Sequence, residues 1–192
     1  MIDVRALHAK SGHFTFDPGF TATGSCVSGI TYIDGPAGEL RYRGYKIEDL
    51  SEKSTFTETC YLLLYGELPS KDDLSSFEEA LLQAMMCHER IKHMFTAFKE
   101  DDHPMAIMCS VIGSLSTFLV EKDRKTWNRQ EMDHVAINLV AKFATLAAMA
   151  FRTSYGLPPV YPRKGLSFCE NIMYMLFSDP MDPDWRPNPL HV

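Results

Sequence analysis

The 192-residue sequence lacks a charge pattern suited to a polyanionic partner. Its 19 basic residues are outnumbered by 25 acidic ones, which gives a formal net charge of −6 at pH 7. No run of five like charges occurs anywhere in the chain. Nucleic acids and anionic membranes are bound through clustered Lys and Arg side chains. We therefore expect neither nucleic acid nor a membrane as a partner.

The sequence has few cysteines and no recognisable leader. The five cysteines are odd in number and never form a CxxC pair, whereas disulfide frameworks of secreted proteins use even sets of cysteines. The first residues, MIDVRALHAKSGHF, have neither the basic and apolar regions of a secretory leader nor the acid-poor composition of a transit peptide. These two features predict reduced thiols and a cytoplasmic location.

Long apolar runs are also missing. The longest uncharged stretch, from Pro104 to Val120, has 17 residues and is interrupted by small residues, so it is shorter than the roughly 20 residues that a bilayer requires. A helix without a polar stripe must be covered on all sides. We predict a central or interface helix here, with Met105, Met108, Gly113 and Ser114 at its interface.

What the sequence does contain is a series of helix starts. Three pairs have the spacing of a capping box: Ser70 with Asp73, Asn128 with Glu131, and Ser167 with Glu170. Pro104 suits the first position of a helix, and apolar residues recur at helical spacing after each start. These signals predict helices over about 55–66, 71–98, 104–120, 129–153 and 168–178.

One stretch alternates like paired strands: ITYIDGPAGELRYRGYKIEDL, residues 30–50. Its middle, residues 34–38, consists of turn-forming residues, which predicts a hairpin over about 28–43. A lone hairpin is marginal in water, so this one must pack on the helices that follow. The predicted fold class is therefore all-α, a helical bundle with a small β-hairpin near the N-terminus.

The histidines do not form a metal motif. The segment HERIKH begins like the zinc motif HExxH, but His93 follows His88 by five residues, which places it off the face of the first histidine. We therefore interpret His88 as a surface or interface histidine. His103, directly before Pro104, is expected to cap its helix or to make a buried hydrogen bond; the alternative is contact with a ligand across a dimer.

Other reactive side chains have structural interpretations as well. Cys87 and Cys109 lie in apolar helical segments and are predicted to be core residues. Arg163 follows a proline in a turn, where a structural ion pair is the favoured interpretation and an anion contact the alternative. Neither GxGxxG nor GxxxxGK[ST] occurs, so a nucleotide-binding fold has no support.

Six ordered blocks resemble the amino-terminal half of bacterial type II citrate synthases: FTFDPGFTATGSC, the hairpin, CYLLLYGELPS, DDHPMAIM, VYPRKGLSF and MLFSDP. The resemblance covers almost the whole chain. It implies that residues 1–192 are the amino-terminal portion of the large domain of an all-helical enzyme, dimeric through packed helices and hexameric in some members. The full-length family condenses acetyl-CoA, its co-substrate, with oxaloacetate to give citrate and CoA.

The resemblance also locates the family's catalytic residues outside this sequence. They lie in a Gly-Pro-x-His-Gly-Gly block, a Gly-His-Arg block and a late aspartate, and neither block occurs here. We therefore expect no catalytic, cofactor-binding or metal-binding residue. The expected role is scaffold and dimer interface, inactive without a C-terminal half; the alternative is a non-catalytic helical interaction module derived from the enzyme. The preference for acetyl-CoA or propionyl-CoA stays open, because methylcitrate synthases resemble the same family.

A regulatory anion pocket of NADH-inhibited type II enzymes can be compared with this chain. By alignment, the polar or cationic groups of that pocket fall on six positions of this sequence. Five of these positions carry other residues, and only Lys142 is retained; the five are Gln83, Ala84, Met85, Leu119 and Asn138. The resemblance thus implies a regulatory-anion remnant at Lys142 and no tight binding of NADH. The alternative for Lys142 is the solvated edge of its helix.

Overall fold

The computed structural model describes residues 3–99, 101–119, 127–182 and 184–191. Helices dominate these residues, as the sequence predicts, so the all-α class with a small sheet is confirmed. The helices are α1 (Leu7–Ser11), α2 (Ile47–Lys53), α3 (Phe56–Tyr65), α4 (Lys71–Ala84), α5 (Lys92–Phe95), α6 (Pro104–Ser114), α7 (Ser116–Leu119), α8 (Arg129–Ser154) and α9 (Phe168–Phe177). Short 3₁₀ turns occupy Pro18–Phe20, Glu89–Ile91 and Pro189–His191.

The sheet has three antiparallel strands, β1 (Thr31–Asp34), β2 (Glu39–Tyr42) and β3 (Tyr45–Lys46), in that order. The first two form the hairpin that the sequence predicts, with Thr31 opposite Tyr42. The third strand is an addition. Arg43 and Gly44, with φ of 51° and 92°, make a tight turn with two left-handed residues that returns the chain onto β2.

Side-chain caps explain where the long helices begin. The three predicted capping boxes are present, and Thr55 forms a fourth with Glu58 at the start of α3. In each box the cap side chain accepts a hydrogen bond from a backbone N–H, while the acidic side chain accepts one from the N–H of the cap residue. The starts of α4, α8 and α9 are therefore set by local sequence.

The predicted continuous helix over 71–98 is wrong. Helix α4 ends at Ala84, and the chain continues through an extended segment, a 3₁₀ turn and the short α5. At this end, Lys142 Nζ donates to the carbonyls of Ala84 and Met86, and Thr145 Oγ1 donates to that of Met85. Three successive backbone carbonyls thus accept hydrogen bonds from side chains of α8. These bonds replace the backbone hydrogen bonds that the carbonyls would accept if α4 continued.

The predicted helix over 104–120 is interrupted as well. Helix α6 ends at Ser114 and α7 follows after Leu115, while residue 120 lies outside the described residues. The Ser114 and Ser116 hydroxyls donate to the carbonyls of Val111 and Gly113 at 2.6 and 2.9 Å. Such local side-chain bonds compete with the helical backbone ladder.

Helix α8 is the centre of the fold, with α4, α6 and α9 packed against it. It passes between two cores: Leu146 and Met149 belong to one and Ala141 and Ala148 to the other. By length and composition α8 could also cross a membrane, but a central core helix has the same properties, and we interpret it as one.

The end of α8 is tied down by a buried cation. Arg152 is 2% exposed, and its guanidinium donates to the carbonyls of Pro158, Leu176 and Ser178. Carbonyl acceptors thereby compensate part of the cost of burying the charge. This contact fixes the end of α9 against the end of α8.

Candidate functional site

One face of α6 is uncovered by the described part of the chain. Met105, Ala106, Cys109 and Gly113 are all exposed, and Met105 retains 60% of its accessible surface. Beyond the neighbouring backbone of its own helix, a Cβ placed on Gly113 would meet no described atom within 4 Å. Because residues 105, 109 and 113 are four apart, they share one side of the helix. The result is a flat face of small residues with a methionine at one end.

The opposite face of α6 belongs to the core, which corrects two predictions. Met108 is 6% exposed and packs in the same core as Val111 and Met149; its assignment to a surface interface is therefore wrong. Cys109, predicted to be a core residue, is exposed. Within the described residues α6 is covered on one side, not on all sides. Since the helix has no charged residue, its hydropathy gives no sign of which side faces inward.

The other two predicted interface residues differ in exposure. Gly113 lies fully on the open face, whereas Ser114 is half-buried at its edge. The Ser114 hydroxyl donates a hydrogen bond to the carbonyl of Val111. Of the predicted interface set, the structure therefore brings Met105 and Gly113 together on one surface, with Ser114 beside them.

Lys142 has a structural role that neither sequence interpretation included. Its half-buried ammonium donates to the carbonyls of Ala84 and Met86 at 2.7 and 2.6 Å. Burial lowers its pKa below the usual value of 10.5. Two of its three N–H donors are thus used within the fold, so Lys142 is neither an open anion ligand nor a solvated helix edge. No local pattern could have found this contact, because its partners are 56 and 58 residues away.

The neighbouring positions of the compared anion pocket are also occupied by structural contacts. Asn138 is buried and donates to the carbonyl of His134 at 2.9 Å on its own helix. Met85 is completely buried. An arriving phosphate would find neither a free cation nor an open surface at these two positions.

The two histidines singled out from sequence act as caps. His88 Nδ1 accepts from the backbone N–H of Arg90 at 3.1 Å, and His103 Nδ1 accepts from that of Met105 at 3.2 Å. His103 thereby opens α6, as its predicted capping role requires. Both residues are exposed, and so is His93. Among the described residues no group of three His, Cys, Asp or Glu side chains could hold a metal ion.

A surface network joins Glu89, Lys92 and Tyr161. The Tyr161 hydroxyl donates to Glu89 at 2.7 Å, and Lys92 pairs with the same carboxylate. The bond from Lys92, followed by that from Tyr161, lowers the pKa of Glu89. A carboxylate held ionised in this way is a poor general acid or base at neutral pH. We interpret the network as a structural link between the 3₁₀ turn that precedes α5 and the segment after α8.

The remaining predicted residues have packing roles. Cys87 is buried as predicted, and burial raises the pKa of its thiol to about 11. The Arg163 guanidinium lies 5.3 Å from the centre of the Tyr174 ring, a cation–π contact, and its backbone N–H donates to Asn171. A buried thiol with a raised pKa is a poor nucleophile, so Cys87 is interpreted as a core residue.

Comparison with known families gives one extensive match. The family described as "Citrate synthase, C-terminal domain" matches residues 19–189. This match includes the hairpin, the open face of α6 and all of α8. It does not identify the bacterial type II subfamily, and its description says C-terminal where the sequence blocks predict the amino-terminal half.

Solved structures give the same family. The citrate synthase of Pyrobaculum aerophilum is 30% identical with a TM-score of 0.75, over 88% of this chain and 42% of that one. The enzyme of Thermotoga maritima is 32% identical with a TM-score of 0.67, over 85% and 42%. This chain thus spans about two fifths of the length of these relatives.

A third structure agrees in fold alone, at 20% identity and a TM-score of 0.74 over 81% of this chain and 40% of that one. It is the citrate synthase of Thermoplasma acidophilum in a ternary complex with carboxymethyl coenzyme A and oxaloacetate.

Proposed function

Because this chain belongs to the citrate synthase family, we propose that it is the amino-terminal part of a bacterial type II enzyme and supplies scaffold and subunit interface. The six ordered sequence blocks support this placement. The chain matches about two fifths of its solved relatives, which fits a part of the enzyme. Acetyl-CoA and oxaloacetate are the proposed substrates of the complete enzyme, consistent with the ligands of the Thermoplasma acidophilum structure.

The observation that carries the interface role is the open face of α6. An uncharged helix with Met105, Cys109 and Gly113 exposed leaves apolar surface in water, which association would cover. The small residues let a second helix approach closely. The resemblance to the family implies a dimer built from packed helices, which supports this role. We propose a homodimer, or a larger assembly, through α6.

The chain alone is proposed to be inactive. Condensation requires a base that removes a proton from the acetyl methyl group and a donor that stabilises the enol oxygen. In the described residues, His88 and His103 are engaged with backbone N–H groups, and Glu89 with Tyr161. These three side chains are therefore engaged in structural contacts. A cytoplasmic location is proposed from the sequence features alone.

Co-purification tests the proposal against the alternative of an independent interaction module. The chain would be co-expressed with the remaining portion of a type II citrate synthase as a separate polypeptide. We expect a complex that forms citrate, whereas an independent module would form its own dimer and leave the second polypeptide unbound. The α6 variant Gly113→Leu serves as a control that weakens the dimer without touching the core.

A further inference from the structure

A cavity of about 180 Å³ lies where α5, α6 and α8 meet. Phe95 from α5, Ile107 from the start of α6 and Ala150 from the end of α8 line it, and all three are buried. The half-buried Phe98 lines it as well. The inner part of the cavity is therefore apolar, formed by two phenylalanines, an isoleucine and an alanine.

The outer part of the cavity is polar. Thr96, Lys99 and Thr153 line it and are exposed, and Ser154 is half-buried beside them. The hydroxyls of Thr96 and Ser154 donate to backbone carbonyls of their own segments at 2.7 and 2.8 Å. Among the described residues, the Lys99 ammonium and the Thr153 hydroxyl have no hydrogen-bond partner in the fold. These two groups can therefore donate to a molecule that enters the cavity.

The negative groups near Lys99 are occupied by the backbone. The backbone N–H of Lys99 donates to Asp102 Oδ2 at 2.9 Å. The last carbonyls of α8 accept from the backbone N–H groups of Tyr155, Gly156 and Leu157. Within the described residues neither set forms a contact with the Lys99 ammonium, which leaves this cation available to an incoming anion.

The volume of the cavity limits the ligand to one ring. An engineered apolar cavity of about 150 Å³ takes up benzene, so a cavity of about 180 Å³ accommodates one six-membered ring. Aromatic rings pack well against one another, which suits the side of the cavity that contains Phe95 and Phe98. A carboxylate on the ring would lie at the outer part, and bonds from an ammonium to a carboxylate are stronger than those between neutral groups.

We propose that this cavity is a binding site for a small aromatic monocarboxylate, whose ring packs against Phe95 and Phe98 and whose carboxylate accepts from Lys99 and Thr153. The site does not rest on the function proposed above. It is also separate from the open face of α6, because Ile107 belongs to the buried side of that helix. A ligand held between α5, α6 and α8 binds only the folded chain and therefore stabilises it.

Methyl NMR tests the proposal on the unchanged chain, with sodium benzoate as the probe. The ring of bound benzoate should shift the methyl signals of Ile107 and Thr153, whereas those of Ile33, an exposed residue of β1, should not move. Acetate lacks the ring and benzyl alcohol lacks the charge, so both should cause smaller shifts at the same concentration. The proposal is overturned if Ile107 does not shift with benzoate, or if Ile33 shifts equally.

Two variants, measured by calorimetry with benzoate, test the two ends of the site. Lys99→Met removes an exposed charge and should raise the dissociation constant about fivefold. Lys10→Met is its matched control, since Lys10 is an exposed lysine of α1, and should leave the constant unchanged. Ala150→Leu fills the apolar part and should abolish binding.

Equal affinities of the Lys99→Met and Lys10→Met variants contradict the proposal, as does an Ala150→Leu variant that folds and still binds benzoate. If Ala150→Leu does not fold, as judged by circular dichroism, the methyl shifts of the unchanged chain decide whether benzoate enters the cavity.

Discussion

Replacing Lys142 with Met tests whether α8 determines where α4 ends. In the structure the ammonium donates to the carbonyls of Ala84 and Met86, and Thr145 holds the carbonyl between them. Methionine has similar length and good helix propensity, so α8 itself is preserved. The change therefore removes the two bonds to the end of α4 and little else.

The size of the effect follows from those two bonds. Hydrogen bonds that involve a charged group contribute about 1.5–3 kcal/mol each to stability, which gives a gross loss of about 3–6 kcal/mol. Two effects reduce it: the variant no longer buries an ammonium, and Met86 is 50% exposed, so water can reach its carbonyl. We expect the free energy of unfolding to fall by about 2 kcal/mol net.

Urea denaturation followed by far-UV circular dichroism measures this change, with the slope of the transition checked for two-state behaviour. Lys53→Met is the matched control, because Lys53 pairs with Asp49 on the exposed surface of α2; such a pair contributes about 0.5 kcal/mol or less. If Lys142→Met unfolds at the same urea concentration as the Lys53→Met variant, the hydrogen bonds from Lys142 do not stabilise the end of α4, and the prediction is wrong.

Three further predictions concern Lys142 and α6. Because burial lowers the pKa of Lys142 in the folded protein below 10.5, the unfolded chain binds more protons than the folded one between the two pKa values. The stability of wild type relative to Lys142→Met should therefore rise with pH across that alkaline window. Urea midpoints whose difference stays constant over this pH range would contradict the prediction. Gly113→Leu should convert the assembly to a monomer in light scattering while the fold is retained or slightly stabilised, since Gly113 is exposed, its added Cβ has no close neighbour outside its own helix, and Gly costs a helix about 1 kcal/mol. An unchanged molar mass would remove α6 from the interface. NADH should show no tight binding in calorimetry, because the Lys142 ammonium is bonded to backbone carbonyls. A micromolar dissociation constant would contradict this prediction.

The sequence was informative where structure depends on neighbouring residues. Ser70, Asn128 and Ser167 begin α4, α8 and α9 through capping boxes that are complete within four residues. The hairpin around residues 34–38 is local in the same way. Such elements can be predicted from one sequence because the groups that satisfy their backbone lie within the same short stretch.

Long-range contacts determined what the sequence did not reveal. The end of α4 depends on Lys142 and Thr145, about 60 residues further along. The inward side of α6 depends on the shape of the core at Met108 rather than on hydropathy, because no residue of that helix is charged. Of the four residues predicted at the interface, Met108 therefore lies on the buried side of α6.

The central claim is that this chain supplies scaffold and interface to a citrate synthase but no catalytic group of its own. The most direct measurement is the release of CoA and the formation of citrate from acetyl-CoA and oxaloacetate by the purified chain, assayed across the fractions of a size-exclusion column. We predict no product above the buffer blank in the fractions that contain the chain. Citrate formation that follows the chain through repeated purification from a host lacking its own citrate synthase would contradict the claim.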